Sequence, residues 1–324
     1  MIRELKTSHK YLSVIFALSV LSLAFCILFG FVGELSLPFA SAFLAVLFVF
    51  EKPEKRIFSY IVPLFGVVLN VAIHGIYMII SIEAVVLALI IALCYRYSES
   101  KNICSVYLTV AVFVFMLISF YLSAARSCSS FAIYAVAEYY SELYADFKDN
   151  LAGMIASIKL TANDGTLNSI MTEQQAKKLI SEYSKLVVAY MAAASFLISG
   201  IALKVFNFTV LRISKYGIRK TFAYFFPKSW LAYLYAVISI IAAFIELDNT
   251  FSIGICTVSE ILMFVFAYVG IRYFMTITRA SSRKGFYTMM LIFGLVFMPG
   301  IAIQVVSYFG AWIVVSTNLI KPVV

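Results

Sequence analysis

Residues 250–271, TFSIGICTVSEILMFVFAYVGI, hold one charged group, Glu260, and the nearest charges on either side are Asp248 and Arg272. A run of this length and polarity meets the requirement of about 20 apolar residues for crossing the hydrocarbon core of a bilayer. In lipid only a helix satisfies its own backbone groups within one segment. The stretch therefore predicts a membrane-spanning helix with a carboxylate near its middle. It is not alone. Comparable runs cover roughly 11–33, 35–50, 57–77, 80–95, 103–125, 187–206, 229–246, 286–299 and 301–320.

Composition agrees. Of 324 residues, 63% are hydrophobic and 13% charged, with a mean hydropathy of +0.99; an average soluble domain has about 25% charged residues. The net charge of +9 does not form a stripe on a soluble face, so nucleic acid is excluded as a partner. The basic residues sit between the apolar runs, where membrane proteins mark their inner side. With the N-terminus inside and the chain alternating, nineteen of the 25 Lys and Arg fall inside. Only Arg126, Lys148, Lys159, Lys177, Lys178 and Lys185 fall outside. The short outer loops carry Glu34, Glu83, Glu246 and Asp248 instead. Arg3, Lys6 and Lys10 precede an apolar run too long for a signal peptide, so 11–33 is an uncleaved first span.

The expectation is an all-α, polytopic transmembrane helical bundle of nine or ten spans in the cell membrane, N-terminus cytoplasmic. The uncertain count lies at Pro299-Gly300, which makes either a kink in one long helix or a tight turn between two. Residues 1–126 form a five-helix transmembrane region, 127–186 an extracytoplasmic helical hairpin, and 187–324 a second transmembrane region. The hairpin carries five lysines and seven acidic residues. Its first helix runs through SSFAIYAVAEYYSELYADFKDNLAGMIASIKL, with Tyr134, Tyr139, Tyr140 and Tyr144 suited to a membrane interface. TANDGTLN makes the turn, and Thr172 and Gln175 have capping-box spacing at the start of the second helix.

No phosphate-binding glycine loop, HExxH, GxSxG or Cys/His cluster is present, so the chain reads as neither an enzyme nor a cofactor or metal protein. The cysteines, Cys26, Cys94, Cys104, Cys128 and Cys256, form no CxxC and read as small packing residues. Three features remain. The first is the set of polar residues inside the spans: Asn70 and His74, four apart on one helix face, Glu83, Glu260 and Gln304. These are the candidates for a ligand or ion site, with interhelical hydrogen bonding as the plain alternative. For Glu260, His74 and Asn70 are the plausible partners across the bundle. The second is the loop at 211–228, with Arg212, Lys215, Arg219, Lys220 and Lys228, no acid, and Trp230 beyond it. That pattern suits a lipid anchor or the docking surface of a partner protein. The third is a pair of small-residue faces, Ser41 with Ala45, and Ala192, Ser195 and Ser199 with Gly200, which predict close helix packing.

FFPKSWLAYLYAVISIIAAF, residues 225–244, and the closing GIAIQVVSYFGAWIVVSTNLIK, residues 300–321, resemble the YybS-like bacterial membrane proteins, a family without an assigned biochemical function. The resemblance covers roughly the C-terminal 140 residues and rests on a Pro-Lys-x-Trp entry to a span and a late Gly-x-Trp. Members of that family often carry an aspartate and an arginine near the last Trp, and both are missing around Ala311-Trp312-Ile313. The helical core of such proteins is similar to the substrate-binding S components of energy-coupling-factor vitamin transporters. The resemblance implies a membrane bundle that binds or transports a small solute without its own ATPase. The alternative is a scaffold that recruits a cytoplasmic partner through the basic loop.

Overall fold

The computed structural model describes residues 9–29, 34–50, 56–75, 79–97, 103–132, 134–161, 184–213, 226–245, 249–280 and 284–320. Almost all of them are helical, and no strand occurs among them. The helices are α1 (His9–Leu28), α2 (Leu37–Phe50), α3 (Arg56–His74), α4 (Ile80–Tyr97), α5 (Ile103–Ser127), α6 (Tyr134–Thr161), α7 (Val187–Ile213), α8 (Ser229–Ala243), α9 (Thr250–Ala280), α10 (Lys284–Phe297) and α11 (Pro299–Ile320). A 3-10 turn, Glu34–Ser36, leads into α2.

Ten of these helices coincide with the ten apolar runs, and α6 is the polar eleventh. Helices α4, α5, α7, α9 and α11 are long and apolar enough to cross a membrane; α1, α2, α3, α8 and α10 are apolar but shorter. The chain is an integral, multi-pass membrane protein. The turn between the last two runs is resolved by Gly294 and Ala302. A Cβ built on Gly294 would lie 3.5 Å from the Ala302 Cβ. Eight residues along one straight helix would separate them by about 12 Å. The chain therefore folds back at Met298-Pro299, and α10 and α11 are two helices.

Packing divides the chain into two compact units, Met1–Leu143 with Ala194–Phe225, and Tyr144–Ala193 with Phe226–Val324. In the first, α2 is the central element, packed most extensively against α4 and α1. Eleven of its fourteen residues are buried, with Phe39 exposed, and a helix covered mostly by protein need not match the thickness of the bilayer. Ser41 and Ala45 are fully buried, as the small-residue pattern predicts. On α7, Ser195 and Ser199 are buried too, and Ser195 donates to the Met116 sulfur at 3.3 Å. Gly200 departs from that expectation, since a Cβ there would meet nothing within 4 Å. Phe50, Tyr95 and Phe206 form a chain of ring contacts at 5.8 and 5.4 Å.

In the second unit α9 and α11 are the most extensively packed pair, with α8 against both. Gly270 and Gly310 set that approach. A Cβ on Gly310 would collide with the Phe266 carbonyl oxygen and lie 2.8 Å from the Gly270 nitrogen; one on Gly270 would collide with the Val306 carbonyl oxygen. Each glycine thus faces a backbone hydrogen bond of the other helix, and only a residue without a side chain permits it. The start of α9 is fixed by a reciprocal cap. The Ser252 amide donates to Asn249 Oδ1 at 2.8 Å, and the Asn249 amide donates to Ser252 Oγ at 3.2 Å.

The first helix of the hairpin is present as α6, with Tyr139 and Tyr140 against Phe120 at 5.6 and 6.3 Å. The turn TANDGTLN and the Thr172/Gln175 cap lie outside the described residues.

Candidate functional site

The polar residues singled out in the spans fall into two sets, one per unit. In the first unit His74 and Glu83 lie at helix ends. His74 closes α3, and Gly75 follows it with φ 68°, the left-handed conformation that ends helices. His74 Nε2 lies 2.7 Å from the Ile27 carbonyl oxygen. A carbonyl only accepts, so Nε2 carries the proton. Ile27 belongs to the last turn of α1, whose carbonyls have no partner within the helix. His74 therefore caps α1 from α3. Arg96 does the same one helix on: its guanidinium donates at 2.5 Å to the carbonyl of Phe48, in the last turn of α2. Nearby, Ser36 Oγ donates to the Ser22 carbonyl at 3.1 Å and meets the Cys26 sulfur at 2.8 Å. Asn70 is fully buried on the His74 helix. Glu83 is 5% exposed in the first turn of α4, where the helix dipole favours a negative group.

The second unit is different. Glu260 lies ten residues into α9, about 15 Å from its start, far from either helix end. It is half-buried, and it makes no hydrogen bond or ion pair among the described residues. Ser252, Cys256, Glu260 and Phe264 recur every fourth residue and so share one face of α9. Phe264 meets Tyr190 edge to face with ring centroids 6.1 Å apart. Tyr235 of α8 and Cys256 are within electrostatic reach of the Glu260 carboxylate. Tyr235 is held firmly. Its ring stacks on Phe266 at 5.2 Å and on Tyr308 at 5.6 Å. Its hydroxyl lies 2.7 Å from Ser307 Oγ, and Ser307 Oγ donates to the Gln304 carbonyl at 2.7 Å. The serine proton being spent there, the tyrosine hydroxyl donates to the serine. The Gln304 side chain itself is exposed, so this residue enters the network through its backbone.

Of the sequence candidates, Asn70, His74 and Glu83 thus belong to one unit, and Glu260 and Gln304 to the other. Tyr235, Ser307 and the glycine pair are new. A Gly inside an apolar run was the available signal for the crossing; Tyr235 and Ser307 look ordinary within their spans. In the basic region, Arg212, Lys228 and Trp230 are exposed, and the Arg212 guanidinium carbon lies 5.1 Å over the Phe208 ring. Lys215, Arg219 and Lys220 lie outside the described residues. All five cysteines are free thiols; Cys26, Cys94 and Cys104 are buried. Cys128, beyond the end of α5, has its thiol pushed up by partial desolvation and then by Glu138 and Glu142.

Comparison of the chain with protein-family models, with characterised proteins and with solved structures returned no match.

Proposed function

We propose that this chain is a cell-membrane protein of the YybS-like kind that binds or moves a small solute without an ATPase of its own. Glu260 is the residue at which it does so. One observation carries the reading: a half-buried, mid-helix carboxylate that makes no hydrogen bond or ion pair among the described residues. On insertion scales a carboxylate at mid-bilayer costs about 2.5–3.5 kcal/mol, and groups retained at that cost face an interior, a cavity or a ligand. In the first unit His74 and Arg96 cap helix ends and Glu83 lies in a first helical turn, whereas Glu260 lies far from either end of its helix. Mass spectrometry of the intact chain, released from detergent under native conditions, tests the reading. A small molecule retained by the wild type and lost in Glu260→Gln supports it; equal retention by both counts against it.

In this reading the N-terminus is cytoplasmic, α6 is outside, and the basic loop faces the cytoplasm. Asp149 and Lys228 are both exposed, and this reading puts them on opposite sides. In a cysteine-free background, Asp149→Cys should react with an impermeant maleimide from outside and Lys228→Cys only after lysis. Equal access from one side would end this topology. The exposed Arg212, Lys228 and Trp230 at the borders of the basic loop favour anionic lipid as its partner, at about 1 kcal/mol per basic group.

A further inference from the structure

We infer that the solute served by Glu260 is an organic cation, an ammonium group carried on an apolar body. This rests on the reading of Glu260 as a solute site and adds the chemical class.

The first ground is charge. The cations on α9 itself, Arg272 and Arg279, lie about 18 Å or more from Glu260, and no cation among the described residues, Lys185 just before α7 included, forms an ion pair with it. The second ground is the kind of surface around the carboxylate. A sugar, an amino acid or an anion requires several converging hydrogen-bond donors. On its own helix face Glu260 is instead flanked by Cys256 and Phe264, and the Phe264 ring meets that of Tyr190. The Tyr235 hydroxyl is already committed to Ser307, and its ring stacks on Phe266 and Tyr308. The edge-to-face pair of Phe264 and Tyr190, one turn along α9, offers ring surface beside the carboxylate. A single carboxylate with aromatic neighbours complements a large, weakly hydrated cation whose charge is spread over alkyl groups. The third ground is the donor set for a metal ion. Divalent cations need six or more oxygen ligands, and among the described residues no three His, Cys, Asp or Glu side chains converge.

The test compares benzyltrimethylammonium, whose charge is permanent, with neopentylbenzene, its uncharged isostere, by equilibrium dialysis against the full chain in detergent. The expected result is binding of the cation about tenfold or more tighter than the isostere. Glu260→Gln should abolish the difference without changing the thermal unfolding of the protein. Phe264→Leu, which keeps the bulk and removes the ring, should weaken cation binding about fivefold. Equal binding of the two probes would overturn the cation class. So would retention by the wild type of a neutral or anionic molecule that Glu260→Gln loses, and in that case Glu260 as a solute site would still stand. If Glu260→Gln binds everything that the wild type binds, both readings fall together.

Discussion

The two units treat buried polar groups in opposite ways. In the first, His74 and Arg96 reach carbonyls in the last turns of α1 and α2. Those carbonyls lack partners in their own helices, and without side-chain donors they would be left unsatisfied away from water. The polar residue is then an architectural part, and its chemistry is used up. In the second unit the polar contacts are local or run between side chains. Asn249 and Ser252 cap α9 locally, Tyr235 and Ser307 satisfy each other, and α9 and α11 approach through glycines. Nothing in that construction requires a carboxylate, and yet Glu260 is present. A polar residue in a membrane bundle is therefore informative in proportion to how little the helices need it.

The strongest way to break the comparison is to remove the condition that makes the second unit self-sufficient. Gly310→Val would put a side chain against the Phe266 carbonyl, which belongs to a helix and cannot shift as a flexible side chain could. Overpacking commonly costs about 1–3 kcal/mol, and contact with rigid backbone places this site at or above ~3 kcal/mol. The variant should aggregate in detergent, or unfold well below the wild type in a thermal scan. Gly200→Val, on a helix position whose Cβ would meet open space, is the control and should unfold like the wild type. Equal behaviour of the two variants would mean that α9 and α11 do not cross at Gly310.

That pair of glycines also marks how far the sequence carries. Hydropathy shows ten helices because each apolar run must bury its own backbone, and this holds whatever the neighbours are. Which helices touch is a property of pairs, and a single run does not encode it. Gly200 sits beside Ser199 and Ser195 and looks like a packing residue, but its surroundings are open. Gly270 follows a valine and Gly310 a phenylalanine in ordinary apolar sequence, but their backbones touch. His74 and Asn70 read as one polar face because they are four residues apart. The α1 carbonyl that His74 serves is 47 residues away in sequence and invisible to spacing. Glu260 was legible for the opposite reason: a lone charge in an apolar run needs no partner to be noticed.

A smaller effect tests the first unit. His74→Ala removes the donor from the Ile27 carbonyl and leaves that oxygen without its bond. The expected cost is about 1–3 kcal/mol of stability, with retention of any bound solute unchanged. Solute loss with intact stability would move His74 from architecture to function and erase the contrast between the units. Smaller again, Tyr235→Phe keeps both ring stacks and deletes one hydroxyl. Ser307 still donates to Gln304, so the loss should be about 1 kcal/mol. A much larger fall would show that the hydroxyl holds α8 to α11 more than the rings do.

The smallest expected change in stability belongs to Glu260→Gln, and it decides most. Glutamine has nearly the shape of glutamate, keeps an acceptor oxygen and gains two donors, but it cannot carry a negative charge. If Glu260 were a structural residue, its carboxylate would have a donor or a cation to hold, and replacing it would leave that partner underserved at a cost of about 1–3 kcal/mol. Among the described residues Glu260 makes no hydrogen bond or ion pair, and the Tyr235 hydroxyl is bonded to Ser307. The variant should therefore unfold at the wild-type temperature or slightly above it, since an amide is cheaper to keep in a membrane than a charge. A fall equivalent to more than about 1 kcal/mol would identify Glu260 as a brace like His74, and the two units would then differ only in where their braces lie. Unchanged stability with loss of the bound solute would separate them for good, because folding would not need the carboxylate and binding would.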